Sequence, residues 1–214
     1  MKSMTAKELM EMMQKDPEYQ ARKKAKEEEM ERLHKRLDED EKELLAELRK
    51  AGFDIESVCE FSVSNFYYAD AIPTLKKHLA TKHHPKIREC ILRALALPDL
   101  YDDQELWDTL VEMYYNTLSD SEIDIPEMRG NKQVISLALC NLATEERIET
   151  LKELIESNKE NIDEVGFFED ALLALAEGKH PTQKMQRHGK PKRPIKKKLN
   201  KKYAMIREWK KIVK

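Results

Sequence analysis

Residues 71–96 read AIPTLKKHLATKHHPKIRECILRALA, and apolar side chains recur at helical spacing on either side of a polar turn. The break at Pro85 separates a first helix, which carries Thr74-Leu75, from a second helix that ends in Ala94-Leu95-Ala96. Small residues on the second helix would let neighbouring helices approach closely. The segment therefore predicts two short helices that pack as an antiparallel pair.

The same pattern returns twice further along the chain. A Thr-Leu pair recurs in every first helix, at 74–75, 109–110 and 150–151. Ala-Leu followed by a small residue recurs in every second helix, at 94–96, 138–140 and 174–176. The spacing of 35 and 41 residues between Thr-Leu pairs is typical of helical-pair solenoids. Because one pair cannot bury both of its faces, we expect neighbouring pairs to stack.

Residues 72–96 resemble one unit of the HEAT-repeat family, whose turn-then-arginine feature falls on Arg88. The resemblance covers roughly 67–178, with Lys132 and Phe168 at the arginine position of the second and third units. A charged helix followed by about three such units is also similar to bacterial HEAT-repeat proteins of no assigned activity. The resemblance implies a non-catalytic scaffold or adaptor that binds protein partners, because solenoids offer long surfaces.

Helix signals continue on both sides of this unit, and no segment alternates apolar and polar residues long enough to predict a strand. The sequence therefore predicts an all-α fold with three parts: a charged helical arm (1–52), a HEAT-like α-solenoid (53–178) and a basic tail (179–214). The helices expected beyond the arm span residues 54–62, 69–81, 85–97, 102–118, 127–143, 145–158 and 163–177.

The arm begins with two helix starts. Thr5 with Glu8 forms a capping box, and Asp16-Pro17 places an N-cap before a proline. From there nothing in the sequence breaks the helix before Leu48, and Gly52 suits a left-handed C-terminal cap. The arm is expected to pack its end on the body, and a dimerisation arm is the alternative. Its apolar stripe consists of Met30, Leu33, Leu37, Leu44 and Leu48.

The net charge of −2 hides a strong asymmetry along the chain. Residues 1–50 hold 13 bases and 14 acids, residues 51–178 hold 11 and 26, and the tail holds 15 and one. No apolar run approaches the ~18 residues of a membrane span, and the amino terminus lacks a secretory h-region. Three widely spaced cysteines are interpreted as reduced, small hydrophobic residues. These features predict a cytoplasmic protein.

The basic tail carries the clearest functional signal. After Asn200, apolar Tyr203, Ile206, Trp209 and Val213 fall at helical spacing among cationic residues. Three hypotheses remain open: the tail binds RNA or DNA non-specifically, it docks on the acidic body of this or a second copy, or it only keeps the protein soluble. The candidate polyanion- or partner-binding residues are Lys190, Lys192, Arg193, Lys196, Lys197, Lys198, Lys201, Lys202, Arg207, Trp209, Lys210 and Lys211.

No catalytic or cofactor motif accompanies these features, so we expect neither enzymatic activity nor a cofactor. The best metal-like cluster is His78, His83, His84 and Cys90. Because His83 and His84 fall in the turn between two helices, we interpret them as solvated loop residues and expect no metal. The aromatic residues Phe61, Phe66, Tyr67 and Tyr68 are expected to pack the start of the solenoid, with a peptide or base-stacking platform as the alternative.

Overall fold

The computed structural model describes residues 5–63, 67–118, 122–123, 131–159 and 162–178. Within these residues the chain is all-helical and contains no strand. Its α-helices are α1 (Ala6–Lys15), α2 (Pro17–Asp40), α3 (Lys42–Lys50), α4 (Glu60–Val63), α5 (Ile72–Leu79), α6 (Pro85–Leu95), α7 (Gln104–Asn116), α8 (Asn131–Asn141), α9 (Ile148–Ser157) and α10 (Ile162–Ala176). Among the helices described, none combines the length and the apolar character needed to cross a membrane.

The second helix of the arm starts as the Asp16-Pro17 signal predicts, while the Thr5–Glu8 capping box stays a prediction. Asp16 accepts a hydrogen bond from the Glu18 N–H, and Pro17 lies in the first turn of α2. The long helix expected up to Leu48 is interrupted at Glu41, however, where α2 ends and α3 begins. The side chain of Glu41 is buried and accepts a hydrogen bond from the Val58 N–H in the loop after α3.

Of the predicted helix 54–62, residues 54–59 are irregular, and only residues 60–62 are helical, as part of α4. Gly52 has φ of 98°, the left-handed conformation that glycine adopts without strain. Beyond it, Cys59 forms a disulfide with Cys90 on α6. The expectation that all cysteines are reduced is therefore wrong for this pair, while Cys140 is free.

The remaining helices form three successive pairs. Helix α5 packs on α6, α7 on α8, and α9 on α10, while α8 lies between α6 and α10. The leucine of each Thr-Leu pair is fully buried, and so are Ala94-Leu95 and Ala138-Leu139 in the second helices. The recurring residues thus occupy matching core positions. Those leucines are Leu75, Leu110 and Leu151.

One continuous core runs from the arm to the last helix. It begins with Leu44, Leu45 and Leu48 on α3, and it ends with Leu175 on α10. Phe61 and Tyr68 contribute to its start, with ring centroids 4.7 Å apart, as the sequence predicts. Tyr67 is half-buried, and Phe66 lies outside the described residues. The arm end is thereby part of the same packed body as the helical pairs.

Candidate functional site: a buried histidine pair and an acidic surface

A chain of four titratable side chains joins the arm to the first helical pair. The arm contributes two carboxylates, Asp40 at the end of α2 and Glu47 on α3. The first pair contributes two imidazoles, His78 on α5 and His83 in the turn before α6. The side chains of His78 and His83 are only 3% and 4% exposed, so this cluster is internal.

Three short distances connect the four groups. His83 Nδ1 lies 3.1 Å from Asp40 Oδ2, and His83 Nε2 lies 3.0 Å from His78 Nδ1. His78 Nε2 faces Glu47 Oε2 at 3.5 Å, yet it has no partner in hydrogen-bonding geometry. Asp40 also accepts the backbone N–H of His84 at 2.9 Å, which fixes the turn against the arm.

Burial and neighbouring charges shift the pKa values of His78 and Glu47. Burial lowers the pKa of His78, and the carboxylate of Glu47 only partly offsets that effect. A hydrogen bond from the Lys77 ammonium, at 2.6 Å, lowers the pKa of Glu47. His78 is therefore held neutral at pH 7, while Glu47 stays ionised beside it.

The prediction of solvated loop histidines is wrong for His83. His84 is half-buried and caps α6, because its Nδ1 accepts the Lys86 N–H. Cys90, the fourth member of the metal-like cluster, is oxidised to the disulfide. Within the described residues, no group of three or more potential ligands is arranged to hold a metal ion. Sequence reasoning also missed Asp40, which lies 43 residues before His83, and Glu47, which lies 31 residues before His78; neither carries a local signal.

A shallow groove of about 550 Å³ separates α5 from α7. Ile72, Leu79 and Leu106 contribute apolar surface to it. At its edge the Lys76 ammonium lies 2.8 Å from carboxylate oxygens of both Asp103 and Glu105. Since Asp103 also caps α7 through the Leu106 N–H, this ion pair links the first helical pair to the second.

The carboxyl-terminal half of the body is rich in exposed carboxylates. Residues 98–178 contain 21 acids and five bases. Of those bases, Lys152 and Lys159 are exposed, and they form ion pairs with Glu149 and Glu156, each three residues earlier in the sequence. We call the following side chains the acidic surface: Glu105, Asp108 and Glu112 on α7, Glu149, Glu153 and Glu156 on α9, and Glu169 and Asp170 on α10, all exposed.

Two further cations of this half are directed inward. The Lys132 ammonium lies 4.6 Å from the ring centroid of Tyr114. The Arg147 guanidinium lies 4.5 Å from the ring of Trp107 and donates to the carbonyl oxygens of Tyr101 and Leu142. Both cations are buried, so in the described part of this half the exposed bases are Lys152 and Lys159, and the exposed carboxylates outnumber them.

The twelve tail residues proposed from the sequence, Lys190 to Lys211, all lie outside the described residues. In comparisons with known proteins, no family model matches the chain, and no curated protein and no solved structure shows significant similarity to it.

Proposed function

We propose that residues 53–178 form a short α-solenoid of about three HEAT-like helical pairs that acts as a non-catalytic scaffold for protein partners. Two features support the solenoid arrangement. The second helices lie side by side in the order α6, α8, α10, and each first helix packs on the second helix of its own pair. Equivalent leucines of the Thr-Leu pairs are fully buried in all three units.

The acidic surface carries the proposal of protein binding. Its carboxylates are exposed on α7, α9 and α10, while Lys132 and Arg147 of the same half are buried against aromatic rings. A surface of one sign attracts partners of the other sign and accelerates their association at low salt. The partner class that fits is a basic segment of another protein, held by charge at several points along the stacked helices.

Binding of a cationic probe to the full chain tests this proposal. The probe is a fluorescently labelled synthetic amphipathic helix of lysine and leucine, measured by anisotropy at low salt. The variant Asp108→Asn/Glu112→Gln/Glu169→Gln/Asp170→Asn is expected to weaken binding about tenfold or more.

A control variant carries the same change in net charge on the arm. Glu27→Gln/Glu29→Gln/Glu31→Gln/Glu39→Gln alters side chains that are all exposed on α2. This control should bind the probe nearly as well as the unaltered chain. Equal weakening by the two variants, or no binding by the unaltered chain at low salt, would contradict a specific role for the acidic surface.

The basic tail favours a second candidate function, non-specific binding of nucleic acid. Its 15 bases against one acid would neutralise phosphates and release counterions. The test compares the full chain with a variant ending at Gly178 on duplex DNA over a salt series. The logarithm of affinity should fall by ~0.9 per phosphate neutralised against the logarithm of salt, and only for the full chain. No binding by the full chain at low salt would exclude this function.

The cytoplasmic location and the lack of enzymatic activity stay predictions. The location was inferred partly from reduced cysteines, and the disulfide between Cys59 and Cys90 removes that argument. The enzyme class would gain support from an accessible reactive centre. The histidine pair does not supply one, because both imidazoles are almost fully enclosed.

A further inference from the structure

The buried histidine pair has more positions for protons than neutral imidazoles can fill. Three gaps separate Asp40, His83, His78 and Glu47, and each gap needs one N–H to form a hydrogen bond. Two neutral imidazoles carry only two N–H groups in total. One gap must therefore be left without a proton whenever the pair is neutral.

The distances show which gap is left open. If His83 Nδ1 donates to Asp40 and His78 Nδ1 donates to His83 Nε2, the two shorter gaps of 3.1 and 3.0 Å are both satisfied. His78 Nε2 is then a bare lone pair facing a carboxylate, which agrees with its longer distance of 3.5 Å and its lack of a hydrogen bond. Any other assignment would force two acceptors together across one of the shorter gaps.

We propose that the His78–His83 pair is a proton-sensitive contact that holds the arm end (α2 and α3) on the first helical pair at neutral pH and weakens this attachment in mild acid. We call the pair closed while the arm end is attached and the two imidazoles are in contact, and open when they are separated. The closed pair can take one more proton, on His78 Nε2 towards Glu47. A second added proton would place two N–H donors against each other across 3.0 Å. Separated imidazoles take up two protons, so the open state binds more protons than the closed state, and acid favours opening.

Charged groups on neighbouring helices affect the equilibrium between the closed and open states of the histidine pair. Burial lowers the pKa of His78, and so do the charges of His83 and Lys77, whereas Glu47 raises it. The folded pKa of His78 lies below the unfolded value of about 6.5, so the stability that its neutral form contributes is fully present above that pH. This stability is lost as pH falls from there through the folded pKa. The charged groups that face the pair are Asp40 on α2, Glu47 on α3 and Lys77 on α5. One step further out, Glu43 acts on Lys77, and Arg36 and Lys86 act on His84 in the turn.

Urea unfolding of the full chain at pH 7.5, 6.5 and 5.5 tests the proposal with His83→Gln. Glutamine can donate to Asp40 and accept from His78, but it cannot take up a proton. Between pH 7.5 and 5.5 the unfolding constant of the unaltered chain should rise about tenfold more than that of His83→Gln.

His34→Gln is the matched control, because His34 is exposed on α2. This control should keep the pH dependence of the unaltered chain. A variant His83→Gln that is less stable by the same factor at every pH would show a purely structural role and overturn the proposal.

Nuclear magnetic resonance of the imidazole nitrogens in the unaltered chain provides a second test that does not depend on a folded variant. At pH 7.5 both His78 and His83 should carry their proton on Nδ1, and the pair should take up one proton, not two, while the chain stays folded. Two independent titrations near the ordinary imidazole pKa of about 6.5, or protons on Nε2 of both rings, would overturn the proposal.

Discussion

Two buried glutamates, Glu41 and Glu60, organise the irregular chain between α3 and α4. Glu41 Oε2 accepts hydrogen bonds from the Val58 N–H at 3.0 Å and from the Ser57 hydroxyl at 3.2 Å. Glu60 Oε1 accepts the N–H groups of Glu56 at 2.8 Å and of Ser57 at 3.3 Å. The carboxylates thereby satisfy backbone donors that a helix would otherwise pair internally. Burial raises the pKa of both groups.

Replacement of Glu41 separates its role as an acceptor from the cost of its charge. We expect Glu41→Ala to lower the free energy of unfolding by about 1–3 kcal/mol at pH 7, since a buried N–H loses its partner. Glu41→Gln keeps an acceptor oxygen and removes the buried charge, so its stability should equal or exceed that of the unaltered chain. Urea unfolding monitored by circular dichroism measures both effects.

The pH dependence of the same variants gives a further check. The folded pKa of Glu41 lies above its ordinary value of 4.5, so folding binds a proton and the stability of the unaltered chain falls as pH rises from 4.5 through the folded pKa. The advantage of Glu41→Gln should therefore grow from pH 4.5 to pH 7. The exposed Glu39→Gln is the control and should show no such trend. A Glu41→Gln variant as unstable as Glu41→Ala would mean that the charge itself is required.

At this scale, sequence patterns indicated which side chains are apolar but could not assign the buried polar groups. His83 looks like a loop residue because it follows a helix end and precedes Pro85. It is buried because Asp40, 43 positions earlier, reaches it from the arm. A partner at that separation leaves no trace in local periodicity. Arg147 is similar in one respect, because one of its carbonyl partners, Tyr101, lies 46 positions earlier, while the other, Leu142, is local.

At the scale of elements, the disulfide connects the turn before α4 to the middle of α6. Cys59 and Cys90 are 31 residues apart in sequence, and the closed loop contains all of α5. Closing a loop of this length removes conformational entropy from the unfolded chain. The bond therefore secures the irregular segment, whose own regular structure is only the single turn of α4.

Thiol labelling tests whether this bond is formed in the purified chain. Alkylation under denaturing, non-reducing conditions should add one label, on Cys140, and prior reduction should raise the number to three. Reduction is expected to lower the free energy of unfolding by about 3–4 kcal/mol, the entropic value for this loop. A Cys59→Ser/Cys90→Ser variant should match the reduced chain in stability and should not respond to reductant. Three labels without reduction would contradict the pairing.

Helix positions were predictable where the apolar period was intact. The spans expected from 69 to 177 correspond to α5 through α10, because each contains a buried leucine stripe and ends at a turn signal. The two errors fall at Glu41 and over 54–59. Glutamate favours helix by propensity, yet α2 ends at Glu41, whose buried side chain accepts a hydrogen bond from the loop after α3. The loop in turn takes its conformation from carboxylates supplied by other elements.

At the scale of the whole molecule, the arm end and the three pairs share one core, and the extensive helix contacts between pairs in the described residues join successive pairs. Helix α10 packs on α8 and α9, while the extensive contacts of α3 are with α5 and α2. The sequence repeat predicts this succession, because Leu75, Leu110 and Leu151 recur at equivalent places. It could not predict the link through Lys76 and Asp103, which depends on how α7 is placed against α5.

A stack of helical pairs and a closed bundle differ in how far a local destabilisation extends through the molecule. The variant Leu151→Ala distinguishes the two arrangements. Leu151 is fully buried on α9, so its truncation to alanine should lower the free energy of unfolding by about 2–5 kcal/mol. In an array stabilised by nearest neighbours, hydrogen exchange should accelerate mainly in α9 and α10 and leave α3 and α5 protected. Leu75→Ala should produce the opposite pattern. Leu173→Ala, at a side chain 60% exposed, is the control and should change little. Uniform acceleration in all helices by either core variant would show a single cooperative bundle and exclude the solenoid.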